Sequence, residues 1–257
     1  MTYGTISGLV ARHGKKTNEV SDAESGTLVD KLVPLTPEGV AQMQQLGTRT
    51  IKPDFYQVID ATTSPYVRTR QSMQEMVVGA GYASHTVGRA EREDLWFGIA
   101  NWAAEGVPHY DPASGNEYVQ EILKKFWMGP QGANGQPVIA QFAYGVIDSF
   151  IRGVERIMPE VQRGANALVM VVTHGTVIDA ADAQIYGTVQ PQLRGNPLIR
   201  DFPGNYAWGE VIALEWDSIS SGLPWFKVSA KGREKVLSLD DLKDFRDKAY
   251  RNVLGHI

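Results

Sequence analysis

The segment ALVMVVTHG, from Ala167 to Gly175, sets six consecutive apolar side chains before a threonine, a histidine and a glycine. It reads as the most strongly apolar strand of the chain, and a helix-like stretch, GTVIDAADAQIYG, follows at once. The same succession occurs earlier. TISGLVA is a candidate strand, and LTPEGVAQMQQLG after it is a candidate helix with Thr36 as N-cap, Pro37 at the first helical position and Val40, Met43 and Leu46 on one face. QVIDATTS, rich in β-branched residues, runs into SPYVRTRQSMQEMVVGAG, where Ser64 is the expected cap, Pro65 opens the helix, and Met73, Met76 and Val77 face the core. Strands that alternate with helices predict an α/β fold: one mainly parallel sheet with helices on both faces.

The C-terminal part adds candidate strands EVIALEW and WFKVSA around an SGLP turn, then an amphipathic helix in LSLDDLKDFRDKAYRNVLG with Ser238 and Asp241 placed as a capping pair. The middle breaks the rhythm. Residues 99–159 show no convincing strand, only a loop rich in Gly, Pro and Asn and two helix-like segments, NEYVQEILKKF and PVIAQFAYGVIDSFIRGVERIM. They are expected to form a helical insertion over one end of the sheet, where it caps a pocket, within a single domain spanning 1–257.

Composition narrows what such a domain does. With 257 residues, 43% of them hydrophobic, the chain buries a full core, and a net charge of −4 argues against wrapping nucleic acid or coating an anionic membrane. No cysteine is present, which removes disulfides, zinc-thiolate sites and cysteine nucleophiles together. No apolar run approaches the roughly 20 residues of a membrane span, and no secretion signal opens the chain, so a soluble cytoplasmic protein is the expectation.

The chemistry gathers at strand ends. Arg12-His13-Gly14 closes the first strand, Arg68 lies near the N-terminus of the helix after the second, and His174-Gly175 closes the apolar strand. Open parallel sheets collect ligands at the carboxyl ends of their strands, so these segments are expected to converge. Two arginines, two histidines and a helix N-terminus make a cationic pocket suited to a phosphoryl group. Arginines disfavour a protonated imidazole beside them, so His13 is expected to keep a free ring nitrogen that attacks phosphorus, while the cations and His174 steady the equatorial oxygens. A proton for the leaving oxygen has candidate donors in Glu91, Glu93 and Asp94 of GRAEREDLWFG, after a short strand-like HTVGRA. His85, His109 and His256 show no partner pattern, and Trp96, Phe97, Trp102, Phe126 and Trp127 are expected to pack in the core or cap.

Together ARHG, TSPYVRTRQS, the acidic segment and VVTHGTVI, in this order, resemble the histidine phosphatase superfamily, also called the phosphoglycerate mutase-like branch. LTPEGVAQMQQLG resembles the helix that usually follows the first motif, and the resemblance spans about Ile6 to Glu215. It implies a phosphohistidine intermediate on His13, a phosphate clamp of Arg12, Arg68 and His174, a small phosphorylated substrate, and neither metal nor cofactor. It places the general acid at Glu93, or at Asp94, which stands four residues before Gly98. Many members carry a glutamate or glutamine after the RHG glycine, where this chain has Lys15 and Lys16.

Blocks typical of the glycolytic mutases are absent around the acid, so hydrolysis of a phosphomonoester is the expectation. Its alternatives are a phosphoglycerate-type mutase and a catalytically silent module that binds a phosphorylated ligand. Substrate identity and oligomeric state are left open.

Overall fold

The computed structural model describes residues 3–17, 28–83, 87–92, 95, 138–186, 210–220 and 223–254. The apolar run becomes strand β4 (Ala167–Thr173), buried along its whole length. Side chains alternate across a strand, and here both faces lead into core. Ala167, Val169 and Val171 enter one hydrophobic cluster while Leu168, Met170 and Val172 enter another. Strand β1 (Ile6–Arg12) divides in the same way, Ile6 and Val10 on the first side and Leu9 and Ala11 on the second.

With β2 (Val58–Thr63), β3 (Val87–Glu91), β5 (Val211–Ser220), β6 (Leu223–Ala230) and β7 (Arg233–Ser238), these strands form one sheet in the order β3-β2-β4-β1-β5-β6-β7. The four strands from β3 to β1 pair in parallel, and β5, β6 and β7 continue the sheet antiparallel. The parallel part is therefore the core of the sheet, extended by a β-meander. EVIALEW from Val211 onward and WFKVSA are each part of a longer strand, because β5 runs to Ser220 and β6 restarts at Leu223, inside the expected turn. Strand β7 has no counterpart in the sequence reading, since its REKVLS opens on three consecutive charged residues and leaves Glu234 and Val236 exposed.

Six helices are described, beginning with a short α1 (Leu28–Leu32). Helices α2 (Pro37–Thr50) and α3 (Val67–Gly79) cover the second cluster through Met43, Leu46, Met73, Met76 and Val77. They cross backbone to backbone: a Cβ on Gly47 would lie 1.9 Å from the carbonyl oxygen of Met76. The other face is covered by α4 (Val138–Gln162), α5 (Gly175–Tyr186) and α6 (Leu239–Leu254). The chain leaves β1 toward one face and the adjacent β4 toward the other. Their helices therefore diverge and leave a crevice at the carboxyl ends of two neighbouring parallel strands.

The caps on α2 and α6 form as expected. Thr36 Oγ1 accepts the amide of Gly39 at 3.0 Å; Ser238 Oγ accepts the amide of Asp241 at 3.0 Å, and the Asp241 carboxylate accepts the Ser238 amide at 2.8 Å. For α3 the expectation is corrected: its N-cap is Tyr66, without a side-chain cap bond, so Pro65 precedes the helix and the Ser64 hydroxyl serves elsewhere. The expected insertion is corrected in its second half. Residues 138–159 belong to α4, which lies along the sheet with Phe142, Val146, Phe150, Val154 and Ile157 in the core and carries Pro159 within it. Residues 99–137, with the helix expected in NEYVQEILKKF, lie outside the described residues. Among the described residues no helix is long and apolar enough to cross a membrane.

Candidate active site

The register of β1 and β4 pairs Arg12 with Thr173, so the residues that follow, His13 and His174, emerge side by side from the sheet. The amide of His13 prolongs the ladder by donating to the Thr173 carbonyl at 3.0 Å. The two rings meet edge to face, centroids 5.0 Å apart, and each residue is only 6% exposed. His13 is pressed into place from below. Its neighbour Gly14 donates its amide to Ser72 Oγ at 3.0 Å, and a Cβ on Gly14 would stand 2.6 Å from the Gly39 carbonyl oxygen in the first turn of α2.

Hydrogen bonds assign the protons on both rings. His13 Nδ1 lies 2.7 Å from the Gly14 carbonyl, which only accepts, so Nδ1 carries the proton and Nε2 keeps its lone pair. Thr69 Oγ1 has only one proton to donate toward the carbonyls of Ser64 and Tyr66 at 2.9 and 2.8 Å. Its contact with Ser64 Oγ, 3.0 Å, then uses the Ser64 proton, and Ser64 Oγ accepts from His174 Nε2 at 3.0 Å. His174 therefore holds its proton on Nε2 and a lone pair on Nδ1.

Burial, followed by the charges of Arg68 and Arg12, pushes His13 well below its ordinary value, against the smaller opposing effect of the Gly14 carbonyl. Burial also dominates for His174, reinforced by His13, Arg68 and Arg12. Both imidazoles are neutral near pH 7.

Arg12 and Arg68 carry the charge. The Arg12 guanidinium lies on the first residue of α5, where a Cβ on Gly175 would come within 3.3 Å of its Cζ, Nε and Nη1. Burial lowers its pKa, and the negative charges of Asp179 and Glu210 counter that effect. Arg68, 4% exposed in the first turn of α3, stacks on Tyr66 with Cζ 4.0 Å from the ring centroid, and Tyr66 meets His174 edge-on at 4.7 Å. Its terminal nitrogens are held by Asp30 of α1: Nη1 donates to the Asp30 carbonyl at 2.7 Å and to Oδ1 at 3.0 Å, and Nη2 to Oδ2 at 3.4 Å. Lys16 joins the same carboxylate at 3.3 Å, while Lys15 pairs with the exposed Glu38.

The segment bearing the expected acid is anchored on both sides. Arg92 donates its amide to the carbonyl of Thr63 at the end of β2 at 3.0 Å, and its side chain reaches the buried Asp148 of α4 at 2.5 Å. The Leu95 carbonyl accepts Thr173 Oγ1 at 3.0 Å, at the end of β4. Glu93 and Asp94, which stand between Arg92 and Leu95 in the sequence, lie outside the described residues; His85, His109, His256, Trp96, Phe97, Trp102, Phe126 and Trp127 also lie outside them. Glu91, the third candidate, is exposed and pairs with Arg70 at 3.0 Å.

The fold thus brings Arg12, His13, Arg68 and His174 together. Asp30, Ser64 and Ser72 escaped sequence reasoning as site residues; Ser64 and Ser72 lie in or beside TSPYVRTRQS, but nothing near Asp30 in the chain marks it as a partner of Arg68. Among the described residues no group of three or more His, Asp or Glu is placed to hold a metal ion.

An α/β sheet that sets two buried histidines at the ends of adjacent parallel strands, with Arg12 at the end of β1 and Arg68 in the first turn of α3, defines the class of protein: an α/β fold with a cationic, histidine-bearing site at the carboxyl edge of its sheet. The chain belongs to the histidine phosphatase superfamily (branch 1), whose sequence profile matches residues 9–200. The mycobacterial glucosyl-3-phosphoglycerate phosphatase shares its fold, with a TM-score of 0.50 and 13% identity over 89% of this chain and 99% of that one. Phosphoglycerate mutase from Bacillus anthracis str. Sterne aligns at 15% identity over 97% and 98% of the two chains, TM-score 0.47. Phosphoserine phosphatase from Entamoeba histolytica, solved with 3-phosphoglyceric acid, aligns at 14% identity over 88% and 98%, TM-score 0.47. No curated protein sequence matches the chain.

Proposed function

We propose that the protein is a metal-independent phosphatase that hydrolyses a small phosphomonoester through a phosphohistidine on His13. The observation that carries this reading is the bond from His13 Nδ1 to the Gly14 carbonyl, 2.7 Å, which leaves Nε2 as an uncharged nucleophile among cations. Arg12, Arg68 and His174 bind the phosphoryl oxygens. His13 Nε2 attacks phosphorus as the ester P–O bond breaks, and Glu93, with Asp94 as the alternative, gives its proton to the departing oxygen. Water then attacks the phosphohistidine, the P–N bond breaks, and the carboxylate recovers a proton from that water. The anchoring of Arg92 and Leu95 at the ends of β2 and β4 supports the acid's assignment to this segment. Residues 99–137 are assigned the cap that selects the leaving group, within a single domain.

His174 with its lone pair on Nδ1 makes a hydrogen bond to a phosphate oxygen only when one of the two carries a proton, so substrate binding draws a proton into the site. Hydrolysis is favoured over a mutase reaction because the mutase blocks around the acid are absent from the sequence. Incubation with an aryl phosphate tests the proposal: phosphate appears in solution, and its release stops in His13→Ala. Phosphate transferred to an added acceptor carbon instead would make the protein a mutase. Binding of orthophosphate without any turnover would make it a phospho-ligand module.

A further inference from the structure

Arg68 carries five N–H donors, and three of them are committed to one residue. Nη1 gives both protons to Asp30, one to the carbonyl and one to Oδ1, and Nη2 gives one to Oδ2. The two that remain, on Nε and Nη2, lie on one edge of the guanidinium plane, which is the edge that forms a side-on bidentate pair with an oxyanion. Nε is fully buried and has no hydrogen-bond partner among the described residues. The plane itself is fixed from a third direction by the Tyr66 ring, 4.0 Å from Cζ, and Tyr66 is also the ring against which His174 rests. Asp30 is 3% exposed, so its grip is not a loose surface pair.

We propose that Asp30 is a positioning residue for Arg68: by occupying one end of the guanidinium it turns the Nε/Nη2 edge to the phosphoryl group and holds it there before substrate arrives. The inference rests on the phosphate site proposed above. Asp30 touches no substrate atom; it acts through Arg68, and Lys16 at 3.3 Å shares the carboxylate and balances its charge. The same contacts would also serve the opposite role. A carboxylate on a phosphate-binding arginine competes with phosphate when it occupies the same donors, and its removal then tightens anion binding.

Binding of orthovanadate, an oxyanion of phosphate shape, separates these roles. Arg68→Ala is measured first and is expected to weaken vanadate binding tenfold or more; unchanged binding there would remove the phosphate site itself. Asp30→Asn adds one net positive charge to the pocket, so bulk electrostatics and competition both predict tighter binding, whereas loss of positioning predicts weaker binding, by about fivefold or more, with kcat on an aryl phosphate reduced in parallel. Tighter or unchanged vanadate binding in a folded Asp30→Asn protein overturns the inference while leaving the site intact. In an Arg68→Ala background the Asp30→Asn change is expected to add nothing; a further loss there would show an action independent of Arg68 and overturn it equally. Should Asp30→Asn not fold, Asp30→Glu keeps the charge that the buried guanidinium needs and displaces it by one methylene; weakened vanadate binding is expected, and wild-type binding would count against the proposal.

Discussion

His13 and His174 stand ring to ring, 5.0 Å apart, because the register of two adjacent parallel strands pairs the residues just before them, Arg12 and Thr173. Backbone pairing, more than any side-chain contact, sets their separation. Only His13 of the two has its Nε2 lone pair exposed by a carbonyl on Nδ1, since His174 uses Nε2 on Ser64.

The first expectation concerns the intermediate. A phosphoryl group on nitrogen is labile to acid and stable to alkali, so protein quenched during turnover with labelled substrate should lose label in acid and retain it in alkali. Label lost in alkali would indicate a serine or threonine ester and remove His13 as the nucleophile.

Arg68→Lys should lower kcat/KM by roughly ten- to a hundredfold, corresponding to the ~1.5–3 kcal/mol of a hydrogen bond to a charged group. A lysine ammonium keeps the charge and cannot both hold Asp30 and present a planar edge. Steady-state kinetics on a correctly folded variant decide it, and wild-type kcat/KM would contradict the assignment.

Stability should fall as the solution is acidified below the ordinary histidine value of 6.5. Folding depresses both histidines, so between 6.5 and their lower folded values the unfolded chain binds protons that the folded chain does not, and protonation favours unfolding. Urea midpoints measured from pH 7.5 to 5 should decline less steeply in His13→Asn than in the native chain. Parallel curves would mean that His13 is not depressed. For the same reason the acid limb of kcat/KM should lie below pH 6.5.

Gly14→Ala places a methyl 2.6 Å from the backbone oxygen of Gly39 and 2.9 Å from Met43 Cγ. A backbone oxygen in a helix cannot move aside cheaply, so the His13 loop must shift. Overpacking of this kind costs about 1–3 kcal/mol, and the displaced imidazole should lower kcat as well. Thermal melting and turnover measured together check this; unchanged values of both would show that the loop has room.

The two candidate acids separate by leaving group. An alkyl phosphate needs a proton on its departing oxygen and a nitrophenyl phosphate hardly does, so removal of the general acid should cost far more with the first. Glu93→Gln is expected to show this selective loss and Asp94→Asn is not; the reverse pattern would transfer the role to Asp94.

Much of this was legible along the chain, because it depends on neighbours in sequence. The apolar run at 167–172 meets core on both faces whatever packs there, Thr36 and Ser238 find amides three residues on, and Arg12, His13, Arg68 and His174 occur in an ordered set of short blocks at strand ends. Strand β7 is not legible along the chain because this edge strand begins with the consecutive charges of Arg233, Glu234 and Lys235 and shows neither an apolar run nor a charged-apolar alternation. The helix expected to lie over the sheet's end instead runs along its face as α4, since periodicity states which side of a helix is apolar and nothing about what it packs on.

Partner choice was decided only by the tertiary structure. Ser64, placed by local pattern as a helix cap, has its hydroxyl taken by His174 from 110 residues away, and Arg68 is claimed by Asp30 across 38. Sequence alone determined which residue types stand at the strand ends and that they form strands and helices, since those are short-range preferences of backbone and burial. Which carboxylate holds which guanidinium, and on which ring nitrogen each proton sits, followed only from the folded chain. Desolvation there makes it costly to leave a buried donor or acceptor without a partner, and distance along the chain no longer limits the choice.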